Sequence, residues 1–183
     1  MDKLGREPWT KGCLQVYTGD GKGKTTAAFG LALRAIGRGL RVYVGQFMKG
    51  VEYGELWATE LLKDELTIEQ FGSPECIPYR EKPAPEDLEL ARQGIARARE
   101  ILASSTYDIV IMDEINVAVY YHLITEAELL ELVDSRPDKV ELVCTGRYAP
   151  SALIDRADIV TEMRLIKHPY ETEELPARDG IER

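Results

Sequence analysis

Short apolar runs recur along the whole chain, and stretches with apolar residues three or four positions apart separate them. Runs of the first kind are typical of strands buried in a parallel sheet, whereas the second spacing is typical of amphipathic helices. The run at 41–47 is also rich in residues that favour strands. The pattern predicts six strands, at residues 14–18, 41–47, 67–71, 107–112, 140–144 and 159–163.

Helical spacing fills the gaps between these runs. It is clearest from Pro85 to Ser104, where apolar side chains recur every three or four positions and the proline suits a first helical turn. Trp57 is predicted to be a core residue, and the proline-rich segment 72–85 to be a loop whose length has a functional reason. We predict helices at 25–37, 54–64, 85–104, 126–135 and 149–157, and a further helix after Asp113.

This alternation predicts an α/β domain with a mostly parallel sheet and helices on both faces. We expect the domain to span residues 13–170, between a flexible N-terminal arm at 1–12 and a polar C-terminal tail at 171–183. Ligands of such sheets bind at the carboxyl ends of the strands. Several polar residues directly follow a predicted strand, so we expect them to meet at one edge of the sheet.

Composition and charge narrow the class of protein. The chain has 183 residues with 23 basic and 32 acidic side chains, a net charge of −9, and this acidity disfavours nucleic acid as a partner. Cys13, Cys76 and Cys144 lack a CxxC spacing, which predicts free thiols in a reducing compartment. The polar start and the absence of a long apolar run predict a cytoplasmic protein without a membrane partner.

A glycine-rich loop joins the first predicted strand to the first predicted helix and indicates a P-loop NTPase-like (RecA-like) fold. Its backbone N–H groups and the helix N-terminus can bind phosphate oxygens. Lys24 can reach a terminal phosphate, and the Thr25 hydroxyl can bind Mg²⁺ or Mn²⁺. The loop is one residue shorter than G-x-x-x-x-G-K-[ST], because Thr18 stands where that pattern has glycine. The residues expected to bind nucleotide here are Thr18, Gly19, Asp20, Gly21, Lys22, Gly23, Lys24, Thr25 and Thr26.

Two acidic residues follow the apolar run that ends at Met112. A carboxylate of Asp113 or Glu114 can bind Mg²⁺ opposite Thr25. Asp113 could instead cap a helix. Glu114 could orient a water or hold substrate as well as metal.

Other polar candidates follow the remaining core strands. Arg147, in a Thr-Gly-Arg turn, can neutralise a phosphate tail or hold a substrate carbonyl, although a surface arginine in a glycine turn is the alternative. Lys49 is open to the same two interpretations. Asn116 and the aromatic run at 120–122 can line a pocket, but helical packing explains the aromatic residues equally well. His168 is a candidate for substrate contact or for a structural role.

Together these motifs resemble the P-loop class of ATP:corrinoid adenosyltransferases, the cob(I)alamin adenosyltransferases. The resemblance covers nearly the whole chain, and several of its motifs have no general role in P-loop proteins, so their co-occurrence is specific. It rests on GDGKGKTTAA at 19–28, VGQFMKG at 44–50, YGE at 53–55, IMDEINVAVYY at 111–121, ELVCTGRYAP at 141–150, ADIVTEMRLIKHPY at 157–170 and ARDGIE at 177–182.

The resemblance implies transfer of the 5′-deoxyadenosyl group of ATP to the Co(I) centre of a corrinoid, with release of triphosphate, in adenosylcobalamin biosynthesis or salvage. Lys24, Mg²⁺ and the loop N–H groups would stabilise the leaving triphosphate. Glu114 and Arg147 are the further catalytic candidates, and the shortened loop fits a triphosphate that leaves intact. Because the cobalt is the nucleophile, no protein nucleophile is required.

The resemblance also implies partners. It predicts a homodimer, and a reductant protein is a possible source of Co(I). Phe71 and Tyr79 are the candidate corrin contacts, and Trp9 of the N-terminal arm is a candidate cap over the corrin.

Two other functions share the P-loop and the acidic pair. A small-molecule kinase of the nucleoside-kinase type would need an acceptor base near Glu114 and would form ADP. A nucleotide-regulated binding module would use the segment 72–85 to dock a partner without turnover.

Overall fold

The structure is a computed structural model that describes residues 9–62, 65–74 and 82–182. Within these ranges the chain forms six strands and seven helices. The strands are β1 (Leu14–Thr18), β2 (Val42–Phe47), β3 (Leu66–Phe71), β4 (Ile109–Asp113), β5 (Glu141–Thr145) and β6 (Ile159–Glu162). The helices are α1 (Lys24–Ile36), α2 (Gly54–Leu61), α3 (Pro85–Ser104), α4 (Ile115–Tyr120), α5 (Glu126–Asp134), α6 (Ser151–Arg156) and α7 (Pro169–Glu173).

The predicted strands and helices are confirmed, with ends that differ by no more than three residues. One such difference matters for the site: β4 includes Asp113, which pairs with Gln46 of β2 in the sheet. The short helix α7 was not predicted. The His168 ring accepts a hydrogen bond from the Tyr170 backbone N–H at its start, so a side-chain cap compensates for the weak helical pattern of the polar tail.

All the neighbouring strands are parallel, in the order β3-β2-β4-β5-β1-β6. The α/β prediction is therefore confirmed, and the part of the sheet that the structure describes is wholly parallel. The strand before the glycine-rich loop, β1, is not adjacent to the acid-bearing strand, β4, because β5 lies between them. The last residue of β5, Thr145, consequently sits between the loop and the acidic pair.

Successive residues of each strand point to opposite faces, and each face is covered by a hydrophobic core. On one face, helix α1 packs on β2, β4 and β5 through residues such as Ala28 and Ala32. On the other face, α3 and α5 pack over the sheet around Leu102 and Leu132. Burial of each such leucine from water contributes about 1.5–3 kcal/mol. The sheet is thus fixed between two layers of helices, and its carboxyl edge is the part left for ligands.

Trp57 lies on the protein surface, whereas Cys144 lies inside the core. Trp57 is 61% exposed, so its prediction as a core residue is wrong. It lies on α2, which packs mainly on the edge strand β3 and has no buried residue. Cys13 and Cys144 are free thiols, whereas Cys76 lies outside the described residues. None of the described helices is long and apolar enough to cross a membrane.

Trp9 is the described aromatic residue of the N-terminal segment. Its indole N–H donates 2.8 Å to the Lys139 carbonyl, just before β5 begins. This position is at the amino edge of the sheet, opposite the glycine-rich loop. Trp9 therefore does not cover the loop of its own chain.

Candidate nucleotide site

A cleft of about 1410 Å³ opens at the carboxyl edge of the sheet. Its polar half is formed by the glycine-rich loop and the ends of neighbouring strands, and its apolar half continues between α1 and α2. The structure thus brings most of the predicted site residues together, as parallel topology requires. Those that line the cleft are Asp20, Gly21, Lys22, Gly23, Lys24, Thr25, Thr26, Lys49, Glu114, Arg147 and His168.

The glycine-rich loop depends on glycine at specific positions. Gly19 and Gly23 have φ of +93° and +121°, values that residues other than glycine rarely adopt. Gly21 is needed for a different reason: its N–H donates 2.6 Å to the Met163 carbonyl, and an added Cβ would lie 2.7 Å from that oxygen. The shortened loop is therefore packed against the backbone that follows β6.

Lys24 is buried at the centre of this loop. Its Nζ donates to the carbonyl oxygens of Gly19 at 2.7 Å and Gly21 at 2.8 Å. Burial lowers the pKa of Lys24, and the nearby Glu114 carboxylate opposes that shift. The ammonium is held by weak neutral acceptors, which a phosphate oxygen can replace with a stronger charge-assisted bond.

Asp113 is fully buried behind the cleft and is surrounded by donors. Its Oδ1 accepts hydrogen bonds from the hydroxyls of Thr25 at 2.9 Å and Thr145 at 2.7 Å. Its Oδ2 accepts from Lys49 Nζ at 2.9 Å and from Gln46 Nε2 at 3.4 Å. With donors on both oxygens, this buried carboxylate is held in one orientation. The alternative role of Asp113 as a helix cap is not needed to explain its position.

Lys49 joins Asp113 to a second carboxylate. Its Nζ lies 3.4 Å from Oε1 of Glu55 and 4.7 Å from the ring centre of Tyr53. Burial disfavours the charged ammonium, but the charge of Asp113 and its hydrogen bond outweigh burial and raise the pKa of Lys49. The Gln46 amide also donates to Glu55, at 2.8 Å. Lys49 is thus part of a buried polar network and not a surface lysine.

Glu114 turns into the cleft at the point where β4 ends. Its φ of +61° is unusual for a residue other than glycine, and its backbone N–H donates 3.0 Å to the Thr145 hydroxyl. Within the described part of the chain, no hydrogen-bond donor reaches its carboxylate. Burial raises the pKa of Glu114, the Asp113 charge raises it further, and the charge of Lys49 opposes both. Such a carboxylate gains stability from a cation placed beside it.

Arg147 reaches the cleft from the turn after β5. Gly146 permits this turn, because its φ is +130° and an added Cβ would crowd Val117 and Asn116 at 3.0–3.1 Å. Asn116 supports the turn from below: it is fully buried, and its Nδ2 donates 3.2 Å to the Gly146 carbonyl. Arg147 is exposed and lines the cleft, so its guanidinium is positioned to bind an anion there.

Five predicted ligands do not line the cleft. Gly19 and Asp113 are not among its lining residues, and Asn116 lies under the Arg147 turn. The Thr18 hydroxyl accepts a hydrogen bond from the Ala149 N–H, and the Phe71 ring packs on Phe47 with centres 5.9 Å apart. Their roles in binding substrates stay predictions. Tyr79 lies outside the described residues.

Other cleft residues were not predicted from the sequence. Glu55 lines the cleft beside Lys49, and the C-terminal residues Gly180, Ile181 and Glu182 line it near His168. Glu55 stands in the motif YGE at 53–55, which contributed to the family resemblance without a role for this residue. The three C-terminal residues stand in the motif ARDGIE at 177–182, but that motif did not predict their place at the cleft, which depends on tertiary packing. The division of the chain into a domain and a separate tail stays a prediction.

Comparison with known proteins agrees with this geometry. The model of a family described as ATP:corrinoid adenosyltransferase BtuR/CobO/CobP matches residues 10–183. A corrinoid adenosyltransferase of Sinorhizobium sp is 36% identical over 180 residues, which cover 94% of this chain and 80% of the relative. A corrinoid adenosyltransferase from Pseudomonas aeruginosa is 32% identical, and the match covers 99% of this chain and 88% of the relative. One from Escherichia coli K12 is 35% identical, and the match covers 94% of this chain and 86% of the relative. The chain therefore belongs to the family of ATP:corrinoid adenosyltransferases.

Proposed function

We propose that the protein transfers the 5′-deoxyadenosyl group of ATP to the Co(I) centre of a corrinoid and releases triphosphate, in the biosynthesis or salvage of adenosylcobalamin. Membership of the family supports this reaction. The observation that carries it is the convergence of Lys24 and Arg147 on one cleft from different strand ends. Two cations around a phosphate-binding loop suit a reaction whose leaving group is a polyanion.

The electron balance explains what the site must do. The cobalt electron pair forms a bond to C5′ while the bond from C5′ to the α-phosphate oxygen breaks, and that oxygen keeps the bonding pair. Cobalt is formally oxidised from Co(I) to Co(III), and negative charge accumulates on the triphosphate. Lys24 and Arg147 stabilise that charge, and the loop N–H groups hold the phosphates in place. No protein residue has to act as a nucleophile.

The donor set at the loop fits Mg²⁺ or Mn²⁺. The Thr25 hydroxyl donates its hydrogen bond to Asp113, so its oxygen lone pairs are available for a metal ion. Glu114 offers a carboxylate at the cleft wall. Among the described residues no cluster of three His, Cys, Asp or Glu side chains is present, and Mg²⁺ typically needs only one or two protein ligands beside nucleotide phosphates. The ion would neutralise charge on the triphosphate.

Further parts of this proposal rest on the family resemblance. They are a homodimer, a protein that reduces the corrinoid before transfer, and corrin contacts from Phe71 and Tyr79. The cofactor roles of Lys49, His168 and Asn116 belong to the same group of proposals.

The proposal is tested by mixing the protein with ATP, Mg²⁺ and cob(I)alamin under strong reduction. A new cobalt–carbon bond changes the visible spectrum, and we expect this change with the wild-type chain. Lys24→Ala should lower the rate by about 100-fold, the effect of losing one stabilising donor. Lys139→Ala, a lysine outside the cleft, is the matched control. Accumulation of orthophosphate without an adenosylated corrinoid would overturn the proposal.

A further inference from the structure

Thr145 has no assigned part in the chemistry, yet its hydroxyl touches both acidic residues of the site. Its Oγ1 lies 2.7 Å from Asp113 Oδ1 and 3.0 Å from the backbone nitrogen of Glu114. Thr145 is fully buried at the end of β5. The strand order places it there, because β5 separates the loop strand β1 from the acid strand β4.

The direction of both hydrogen bonds follows from the groups involved. An ionised carboxylate only accepts and a backbone N–H only donates, whereas a hydroxyl has one proton and two lone pairs. The Thr145 proton therefore points to Asp113, and a Thr145 lone pair receives the Glu114 N–H. One hydroxyl oxygen thus uses its donor and acceptor capacity on two consecutive residues.

One bond fixes the orientation of the Asp113 carboxylate, and the other fixes the backbone of Glu114; a metal site at the loop requires both. Asp113 Oδ1 also accepts the hydroxyl proton of Thr25, so the orientation of its carboxylate determines where the Thr25 lone pairs point. Glu114 has an unfavourable φ of +61°, and the bond to Thr145 holds its backbone there. Without that bond, the direction in which the Glu114 carboxylate enters the cleft is no longer fixed.

We propose that Thr145 is a positioning residue that sets the geometry of Thr25, Asp113 and Glu114 for binding the metal–ATP complex. This inference rests on the proposed function only in requiring that ATP binds with a divalent cation at the loop. It concerns one hydroxyl group, so it can be tested with side chains of nearly the same size. Thr145→Val replaces the hydroxyl with a methyl group, and Thr145→Ser keeps the hydroxyl.

The experiment measures Mn²⁺ binding to the protein in the presence of ATP by electron paramagnetic resonance, and ATP binding in the presence of chelator by calorimetry. We expect Thr145→Val to weaken Mn²⁺ binding by about 10-fold to 100-fold, the usual effect of losing a residue that orients metal ligands. Metal-free ATP binding should change by less than about 3-fold, because the loop and Lys24 are untouched. Thr145→Ser should bind Mn²⁺ within about 3-fold of the wild type. Thr161→Val, an exposed threonine on β6, is the matched control.

Thermal unfolding in chelator shows whether each variant is folded. If Thr145→Val does not fold, Thr145→Ala takes its place, since it also lacks the hydroxyl and introduces no new bulk. Unchanged Mn²⁺ binding in the folded variant without a hydroxyl would overturn the inference. Equal losses in the serine and valine variants would overturn it too, because shape and not the hydroxyl would then be responsible. A wild-type protein that binds Mn²⁺ and ATP but adenosylates no corrinoid would contradict the proposed function and leave the role of Thr145 standing.

Discussion

The hydroxyl of Thr25 donates a hydrogen bond of 2.9 Å to Oδ1 of Asp113, a residue 88 positions further along the chain. The bond connects the first turn of α1 to the end of β4, so it joins the phosphate-binding loop to the acidic pair. It also orients the Thr25 oxygen toward the cleft. The loop and the acids therefore form one site before any ligand binds.

Removal of the Thr25 hydroxyl should impair metal–nucleotide binding more than nucleotide binding alone. A hydrogen bond to a charged group contributes about 1.5–3 kcal/mol, so Thr25→Ala should weaken Mn²⁺ binding in the presence of ATP by about 10-fold to 100-fold. Thr25→Ser keeps the hydroxyl and should stay near the wild-type value. Equal affinities in the alanine and serine variants would show that this hydroxyl does not hold the metal.

Substitution by alanine should be harmful at one glycine of this region and stabilising at another. A Cβ at Gly21 would lie 2.7 Å from the Met163 carbonyl oxygen, so Gly21→Ala must displace the loop and should abolish measurable ATP binding. Gly30 is exposed on α1 with no atom near its missing Cβ, so Gly30→Ala should stabilise the fold by about 1 kcal/mol. Calorimetric ATP titration and thermal unfolding check the pair. Tight ATP binding by Gly21→Ala would contradict the packed loop.

Cys144 should be unreactive in the native protein. Complete burial raises the pKa of its thiol to about 12, so almost no thiolate is present at neutral pH. In a Cys13→Ser, Cys76→Ser variant, the remaining thiol should react with a disulfide reagent only after denaturation. Reaction of the folded variant at the rate of the denatured chain would show that the core around β5 opens readily.

The start of α5 should make stability depend on pH. The backbone N–H and hydroxyl of Thr125 bond to the Glu128 carboxylate and lower its pKa. A depressed carboxyl pKa adds stability above the unfolded value of about 4.3, and this stability is lost as pH falls through the folded value. Glu128→Gln should therefore lower the melting temperature at pH 7, with a difference that shrinks below about pH 4. Glu126→Gln, in the same helical turn, controls for loss of charge, and a pH-independent difference would contradict the capping explanation.

Local pattern was sufficient for the six described strands and for six of the seven described helices. Buried parallel strands are apolar throughout, so the run that ends at Met112 could be recognised without any structure. The glycine-rich loop was equally clear, because its glycines stand between a strand and a helix. Trp57 is an exception, because an apolar residue on a helix at the sheet edge need not be buried.

The side-chain network depended on information that local pattern lacks. Thr145 meets Asp113 only because β5 lies between β1 and β4, and strand order is a property of the whole sheet. Lys49 was predicted as a ligand, but its pairing with Asp113 follows from the neighbouring positions of β2 and β4 in the sheet, and its contact with Glu55 from the position of α2. The C-terminal residues reach the cleft by tertiary packing, which the motif at 177–182 does not predict on its own.

The nucleotide product tests the central claim most directly. The protein is incubated with ATP, Mg²⁺ and a reduced corrinoid, and the products are separated by anion-exchange chromatography. We predict one triphosphate for each adenosylated corrinoid, and no triphosphate when the reductant is omitted. Formation of ADP, with or without orthophosphate, in place of triphosphate would contradict the account and indicate phosphoryl transfer.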